Sequence, residues 1–320
     1  MSKTKKIVSI SQTTINLQKQ INWYTSNLGF KCISETRIEN SWLGELIGCP
    51  GAIVNRAYLQ IGEEFLELWE FEQVPTQNND KIVPTLIPED SQSNDLWFQH
   101  ICIVVSNLND AFNQGASNAT QISRSPVILP ETNKEAANIE AVKIKDSVGH
   151  PLELLKFPQD KGSQRWHKAN SKLFMGIDHT AIGVSDTQKS IAFYNELLGM
   201  EIAGNGINHG KEQDQLDGLI NTKVVITSLR ANDNGMGIEL LDYQLPNPNR
   251  RERLNPKPTD LSEWRTMLLV EDIKKTYEKL MEICSPESIG PIVSIPPEYW
   301  GGTLAFQARD PDGHALILLN

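Results

Sequence analysis

An internal repeat constrains this chain more than any other feature. Residues 177–200 read IDHTAIGVSDTQKSIAFYNELLGM, and residues 7–30 read IVSISQTTINLQKQINWYTSNLGF. Set one below the other, Tyr24 falls opposite Tyr194, Gly29 opposite Gly199 and Ser9 opposite His179. The later copy opens as an alternating strand that puts Ile177, His179, Ala181 and Gly183 on one face. Ser185 and Asp186 can cap the helix that follows. Its apolar residues Ile191, Tyr194, Leu197 and Leu198 recur at helical spacing, and Gly199 suits a left-handed stop. Both copies later close on a second alternating strand, FLELWEF (65–71) and GIELLDY (237–243), so that Glu67 meets Glu239.

A second pair of segments repeats in the same way. WFQHICIVVSNLNDAF (97–112) and EWRTMLLVEDIKKTY (263–277) are each a strand entering a helix, with Phe112 opposite Tyr277 and His100 opposite Arg265. Each ends as strand, turn and strand, VKIKDSVGHPLELL and FQARDPDGHALILL, which sets Glu153 opposite Ile317. Asp-Pro-Asp-Gly is strong turn chemistry. The chain is therefore α+β, with four similar modules over 5–73, 97–156, 174–244 and 263–320. Two halves are expected, 1–157 and 174–320, joined by the polar, aperiodic linker FPQDKGSQRWHKANSK. Residues 74–96 and 245–262 read as connections. Residues 121–137 and 285–302 read as long loops, the kind that cover substrates.

With 320 residues, 39% hydrophobic and 22% charged, the chain can build about two cores. A net charge of -10 disfavours nucleic acid or an anionic membrane as partner. No apolar run is long enough to span a bilayer. The opening MSKTKKIVSIS lacks the apolar core of a signal peptide. Cys32, Cys49, Cys102 and Cys284 are widely spaced and without a CxxC, and read as buried thiols of a reducing cytoplasm.

The segments IDHTAIGV, SIAFYNELLGM, IELLDY and RDPDGHALIL resemble the vicinal oxygen chelate superfamily, which contains glyoxalase I, bleomycin-resistance proteins, extradiol dioxygenases and methylmalonyl-CoA epimerase. The resemblance covers all four modules. It implies βαβββ modules paired into two incomplete β-barrels around a divalent metal, with ligands from the first and last strands of each module. Carried onto this chain, the modules in order offer Ser9 and Glu67, His100 and Glu153, His179 and Glu239, and Arg265 and Ile317.

Two pairings are open. If sequence neighbours pair, one site holds Ser9, Glu67, His100 and Glu153, and the other holds His179, Glu239, Arg265 and Ile317. A guanidinium repels a cation and isoleucine has no donor, so the latter is no metal site. If modules pair across the linker, as in fused two-site glyoxalase I enzymes, His100, Glu153, His179 and Glu239 share one site. Ser9, Glu67, Arg265 and Ile317 then form a second site without a metal. The crossed pairing is favoured because it gathers every good ligand. In the metal-free site, a buried Arg265 needs a partner, and Glu67 or an anionic ligand would serve. Tyr299 and Trp300 either line that cavity or anchor their loop. His150 and His314 read as turn or surface residues, His167 as linker and His209 as loop.

The resemblance implies a metal-dependent lyase or isomerase acting on a small oxygen-chelating substrate. The metal would be nickel, zinc, cobalt, manganese or iron, with Glu153 as general base and Glu239 able to act on the opposite face. After His179 the strand runs Thr-Ala-Ile-Gly, without the Arg that glyoxalase I commonly uses to hold glutathione. That points away from a glutathione substrate. One alternative is a metal-free binding protein of the bleomycin-resistance type. Another is an iron dioxygenase using Glu67, His100 and Glu153, a poor facial triad. Extradiol cleavage at His179, Arg265 and Ile317 is disfavoured. A monomer or a homodimer is compatible with four fused modules.

Overall fold

The computed structural model describes residues 3–73, 84–115, 119–168, 172–244 and 256–320. The first module runs β1 (Thr4–Thr14), α1 (Leu17–Leu28), β2 (Lys31–Ile38), α2 (Ser41–Leu46), β3 (Ile53–Ile61) and β4 (Glu64–Gln73). The second runs β5 (Gln99–Val105), α3 (Leu108–Gly115), β6 (Thr120–Gln121), β7 (Val127–Ile128), β8 (Glu140–Lys145) and β9 (Pro151–Lys156). The third runs β10 (Phe174–Gly183), α4 (Thr187–Ile191), β11 (Glu201–His209), α5 (Lys211–Asp217), β12 (Lys223–Arg230) and β13 (Gly237–Tyr243). The fourth runs β14 (Trp264–Val270), α6 (Ile273–Ile283), β15 (Val293–Ser294), α7 (Pro297–Trp300), β16 (Leu304–Arg309) and β17 (Ala315–Leu319).

The local chemistry of the repeat is visible at the helix ends. Asn16 caps α1 by accepting from Lys19 N–H, and Asp186 caps α4 by accepting from Gln188 and Lys189 N–H. Gly29 and Gly199 both take the left-handed conformation expected of them, at φ 69° and 68°. Beyond α4 the helix continues as a π-type turn over Ala192–Leu197.

The strands form two sheets, ordered β15-β16-β17-β14-β1-β4-β3-β2 and β11-β12-β13-β10-β5-β9-β8-β6, with β7 paired to β8. The first sheet joins the first and fourth modules, and the second joins the second and third. This is the crossed pairing. The joints are antiparallel, β1 on β14 and β10 on β5. Both joints carry a register shift at the same point of the repeat, between Ile7 and Ser9 and between Ile177 and His179. The uninterrupted alternation expected over 177–183 is therefore broken. Ile177 packs with Ile182 and Val184 in the largest hydrophobic cluster, while Ala181 packs inside the curved sheet with Leu241 and Tyr243. An extra residue in a strand re-aims the side chains on either side of it.

That largest cluster draws on both sheets and their helices. The hollow of the first sheet is filled by Trp42, Trp69, Trp300, Met267 and Ile317. The hollow of the second holds smaller apolar groups and a cavity.

Several expectations are corrected. His150 and His314 end turns, as one of the two expectations had it, but they are buried and not on the surface. Each sits in a turn and reaches across to the other sheet, His150 Nε2 to the carbonyl of Leu261 at 2.9 Å and His314 Nε2 to that of Gly183 at 2.8 Å. His209 ends β11 rather than lying in a loop. Cys32, expected among buried thiols, is exposed on the edge strand β2. Among the described residues, no helix is long and apolar enough to cross a membrane.

Candidate metal centre

Four adjacent strands of the second sheet, β13, β10, β5 and β9, form the floor of its hollow. They carry Glu239, His179, His100 and Glu153 respectively, so the four residues expected to share a site under the crossed pairing lie on one floor. His100 Nε2 lies 2.9 Å from Glu153 Oε2, and His179 Nε2 lies 3.3 Å from Glu239 Oε2. The imidazole centroids are 6.0 Å apart. Candidate ligand atoms of His100, Glu153 and His179 all fall within 4.8 Å of one another. Both histidines and Glu153 are buried, whereas the Glu239 side chain keeps 21% of its surface exposed to the cavity.

The two imidazoles are held differently. Asp178 Oδ2 lies 3.0 Å from His179 Nδ1, which assigns the proton to Nδ1 and leaves the Nε2 lone pair facing the cluster. Asp178 is in turn fixed by Arg230 Nη2 at 2.6 Å and by Trp166 Nε1 at 2.9 Å. Neither His100 Nε2 nor His179 Nε2 makes a directional hydrogen bond, despite the nearby carboxylates. Buried polar atoms left so are rare, and two of them aimed beside two carboxylates suit a shared cation. Two imidazoles and two carboxylates are also the donor set that divalent zinc, nickel, cobalt, manganese or iron accepts.

The electrostatics follow from burial and pairing. Burial alone would raise the Glu153 pKa, but His100 and Lys143 more than offset it and lower the value to about 2. Asp178, likewise buried, is held below the ordinary carboxylate range by His179 and Arg230. Burial lowers the His100 pKa. Burial would lower that of His179 too, but Glu239 and Asp178 reverse the sign and raise it. Ser228 Oγ donates to Glu239 at 2.7 Å and orients it.

The cavity above this floor has a volume of about 310 Å³. Leu129, Ile139, Leu155 and Phe157 give it apolar walls, and Lys143, Gln213 and Arg230 add polar groups. The loop expected over 121–137 closes one side by bonding to the third module. Asn133 Nδ2 donates to the His209 carbonyl at 3.1 Å, and Ser123 Oγ donates to that of Leu216 at 2.7 Å. Sequence reasoning missed Asp178, Arg230, Trp166, Lys143 and Asp217. The one signal available was the tryptophan in an otherwise polar linker.

In the first sheet the matched positions collapse. Glu67 accepts from Arg56 Nε at 2.6 Å, Ser9 Oγ at 2.7 Å, Trp300 Nε1 at 2.8 Å and Trp69 Nε1 at 2.9 Å. The expected Glu67–Arg265 pair is thus replaced by Glu67–Arg56. Arg56 stands on β3, hydrogen-bonded to β4, and reaches the carboxylate from the adjacent strand. Arg265 instead donates to the Pro258 carbonyl at 2.7 Å and lies 4.9 Å above the Trp69 ring. Ile317 joins the apolar filling, and Trp300 anchors its loop there. Glu67 and the pair His100 and Glu153 sit in different sheets, so the dioxygenase ligand set drawn from those three residues does not assemble.

The family model described as the Glyoxalase/Bleomycin resistance protein/Dioxygenase superfamily matches the chain twice, over residues 6–154 and 176–318. No curated protein matches it. Among solved structures, glyoxalase I from Zea mays is similar with a TM-score of 0.60 at 15% identity, covering 99% of this chain and 92% of that one. A putative dioxygenase from Bacillus subtilis is similar with a TM-score of 0.54 at 11% identity, covering 100% and 86%. At these identities the likeness is one of fold.

Proposed function

The chain belongs to the Glyoxalase/Bleomycin resistance protein/Dioxygenase superfamily, and from that premise we propose that it is a metal-dependent, glyoxalase-like lyase or isomerase acting on a small oxygen-chelating substrate. The observation that carries this is the convergence of His100, Glu153, His179 and Glu239 under a cavity, with both imidazole Nε2 atoms turned toward the carboxylates and free of directional hydrogen bonds. In this reading these four side chains hold the ion. When bound, the divalent ion supplies positive charge that favours loss of a proton from a carbon beside a carbonyl.

The chain's own groups do the rest. A carboxylate takes the proton and returns it to the neighbouring carbon, giving an enediolate-type intermediate in between. Glu153 and Glu239 stand on opposite sides of the imidazole pair and are the two bases available. Asp178 keeps the His179 ring oriented, and the apolar walls and the 121–137 loop limit water.

Metal content of the purified protein, by elemental analysis after reconstitution, and solvent deuterium exchange into 2-hydroxy ketones and aldehydes test the reading together. About one divalent ion per chain is expected, with exchange in the native protein. Exchange should fall by about a hundredfold or more in Glu153→Gln and Glu239→Gln while the fold is kept. Full exchange in both variants overturns the mechanism. A second reading, a metal-free binder of the bleomycin-resistance type, is favoured by the direct contact of each histidine with a carboxylate. Absence of metal after reconstitution would decide for it.

A further inference from the structure

We propose that Lys143 sets the specificity of this centre, and that the substrate is a small organic acid whose carboxylate reaches the Lys143 ammonium. The inference rests on the metal-centre reading above and narrows its substrate class. Lys143 stands on β8 directly opposite Glu153 on β9. It is buried in the cavity wall, only 3% exposed. A buried ammonium is costly and is kept only where its charge is matched.

Glu153, across the strand pair, supplies part of that match, and so does Asp217. Its Oδ1 lies 2.6 Å from Lys143 Nζ, and its Oδ2 accepts from Gln213 Nε2 at 2.7 Å. The aspartate is therefore fixed and takes one of the three ammonium donors. The Phe98 ring lies 5.7 Å from Nζ and accepts no conventional hydrogen bond. The ammonium, anchored from one side, faces the cavity with donors to spare.

The matched position of the other sheet argues that this cation belongs to the chemistry and not to the fold. There Gln307 opposes Ile317 as Lys143 opposes Glu153. Where the acidic ligand is missing, the positive charge is missing too, and the strand pair forms without it. The cavity, at about 310 Å³, is at the small end of ligand sites. A molecule of a few carbons fits, with its chelating oxygens over the floor and its carboxylate at the wall.

Lactate and lactamide differ by one charge at equal size and serve as probes. Calorimetric titration of the nickel-loaded protein with each gives a preference ratio that includes the metal's own contribution. Comparison with Lys143→Met isolates the lysine. The ratio should drop by about tenfold in Lys143→Met and stay within about threefold in Lys143→Arg, since a hydrogen bond to a charged partner is worth about that much. Asp217→Asn should tighten lactate binding, because the ammonium loses its competitor. This variant carries the test if Lys143→Met fails to fold. An unchanged ratio in Lys143→Met, or unchanged or weaker lactate binding in Asp217→Asn, overturns the proposal. If the native protein takes up none of nickel, zinc, cobalt, manganese or iron, the metal-centre reading has failed instead.

Discussion

At the scale of single residues, the two sheets give the same positions opposite fates. Glu239 and Glu67 occupy equivalent places, yet Glu239 faces a cavity with Ser228 as partner while Glu67 is enclosed by four donors. Burial would raise the Glu67 pKa, but Arg56 and the hydroxyl and indole donors lower it, so the charge is retained. The difference is one of filling, since three tryptophans occupy the space that in the other sheet is hollow. At the proposed metal centre the residue that matters most beyond the ligands is Asp178. Asp178→Asn removes the charge and one of the two acceptor oxygens that hold His179, Arg230 and Trp166, and metal affinity should weaken by about 10- to 100-fold in a competitive chelator titration. The pH dependence has a defined sign. His179 binds metal only when neutral, and its pKa is raised in the metal-free protein. Metal loading should therefore fall as pH drops through that raised value. In Asp178→Asn, with one of the raising carboxylates gone, the loss should begin at a lower pH than in the native protein. The four candidate ligands were legible in the sequence because the family resemblance marks two strand positions in each module and the repeat locates those positions in all four. Arg56 and Asp178 were not, because a cross-strand partner depends on register and a neighbouring carboxylate on a bulge, and neither leaves a periodic trace.

At the scale of elements, the helices and turns tie the two sheets together through a repeated polar link. The Tyr24 hydroxyl on α1 lies 3.1 Å from Asp146 Oδ2 and 2.8 Å from Gln12 Oε1, its one proton shared between them, and Asp146 lies in the turn between β8 and β9 of the other sheet. Tyr194, in the π-type turn after α4, donates to Asp310 at 3.0 Å, in the turn between β16 and β17. Each turn aspartate also caps its own turn, Asp146 accepting from His150 N–H and Asp310 from His314 N–H. The matched tyrosines and the matched turns were visible in the sequence as separate repeats. Their mutual contact was not, because it joins residues more than a hundred positions apart. Both tyrosines are fully buried, so Tyr24→Phe and Tyr194→Phe should each cost about 1–2 kcal/mol in urea denaturation, the loss of a donor to a buried carboxylate. The two links share no residue, so the double variant should lose the sum within about 0.5 kcal/mol. A markedly smaller loss would mean that the links are not independent fasteners.

At the scale of the whole molecule, the crossed pairing makes each half of the chain dependent on the other. The strands β1 to β9 come from the first half, yet β1 finds its antiparallel partner in β14 and β5 finds its own in β10. Cutting the chain between 157 and 158 and separating the pieces would strip both central joints at once. Each piece would then present two unpaired strands, one from each sheet, and open edges of this kind promote self-association. The candidate ligands divide in the same way, His100 and Glu153 to one piece and His179 and Glu239 to the other. One imidazole and one carboxylate are too few for a tight divalent site. Expressed alone, each piece should sediment as aggregate or as a self-associated species and retain no metal through gel filtration. Refolded together, the two should form a one-to-one complex that takes up about one divalent ion. Trp166 and Asp178 both lie in the second piece, so their bond does not cross the cut. The contrary outcome is equally clear in sedimentation and metal analysis. If the first piece folded as a stable monomer and bound metal by itself, its modules would be pairing with each other, and the shared floor of four ligands would not exist in solution.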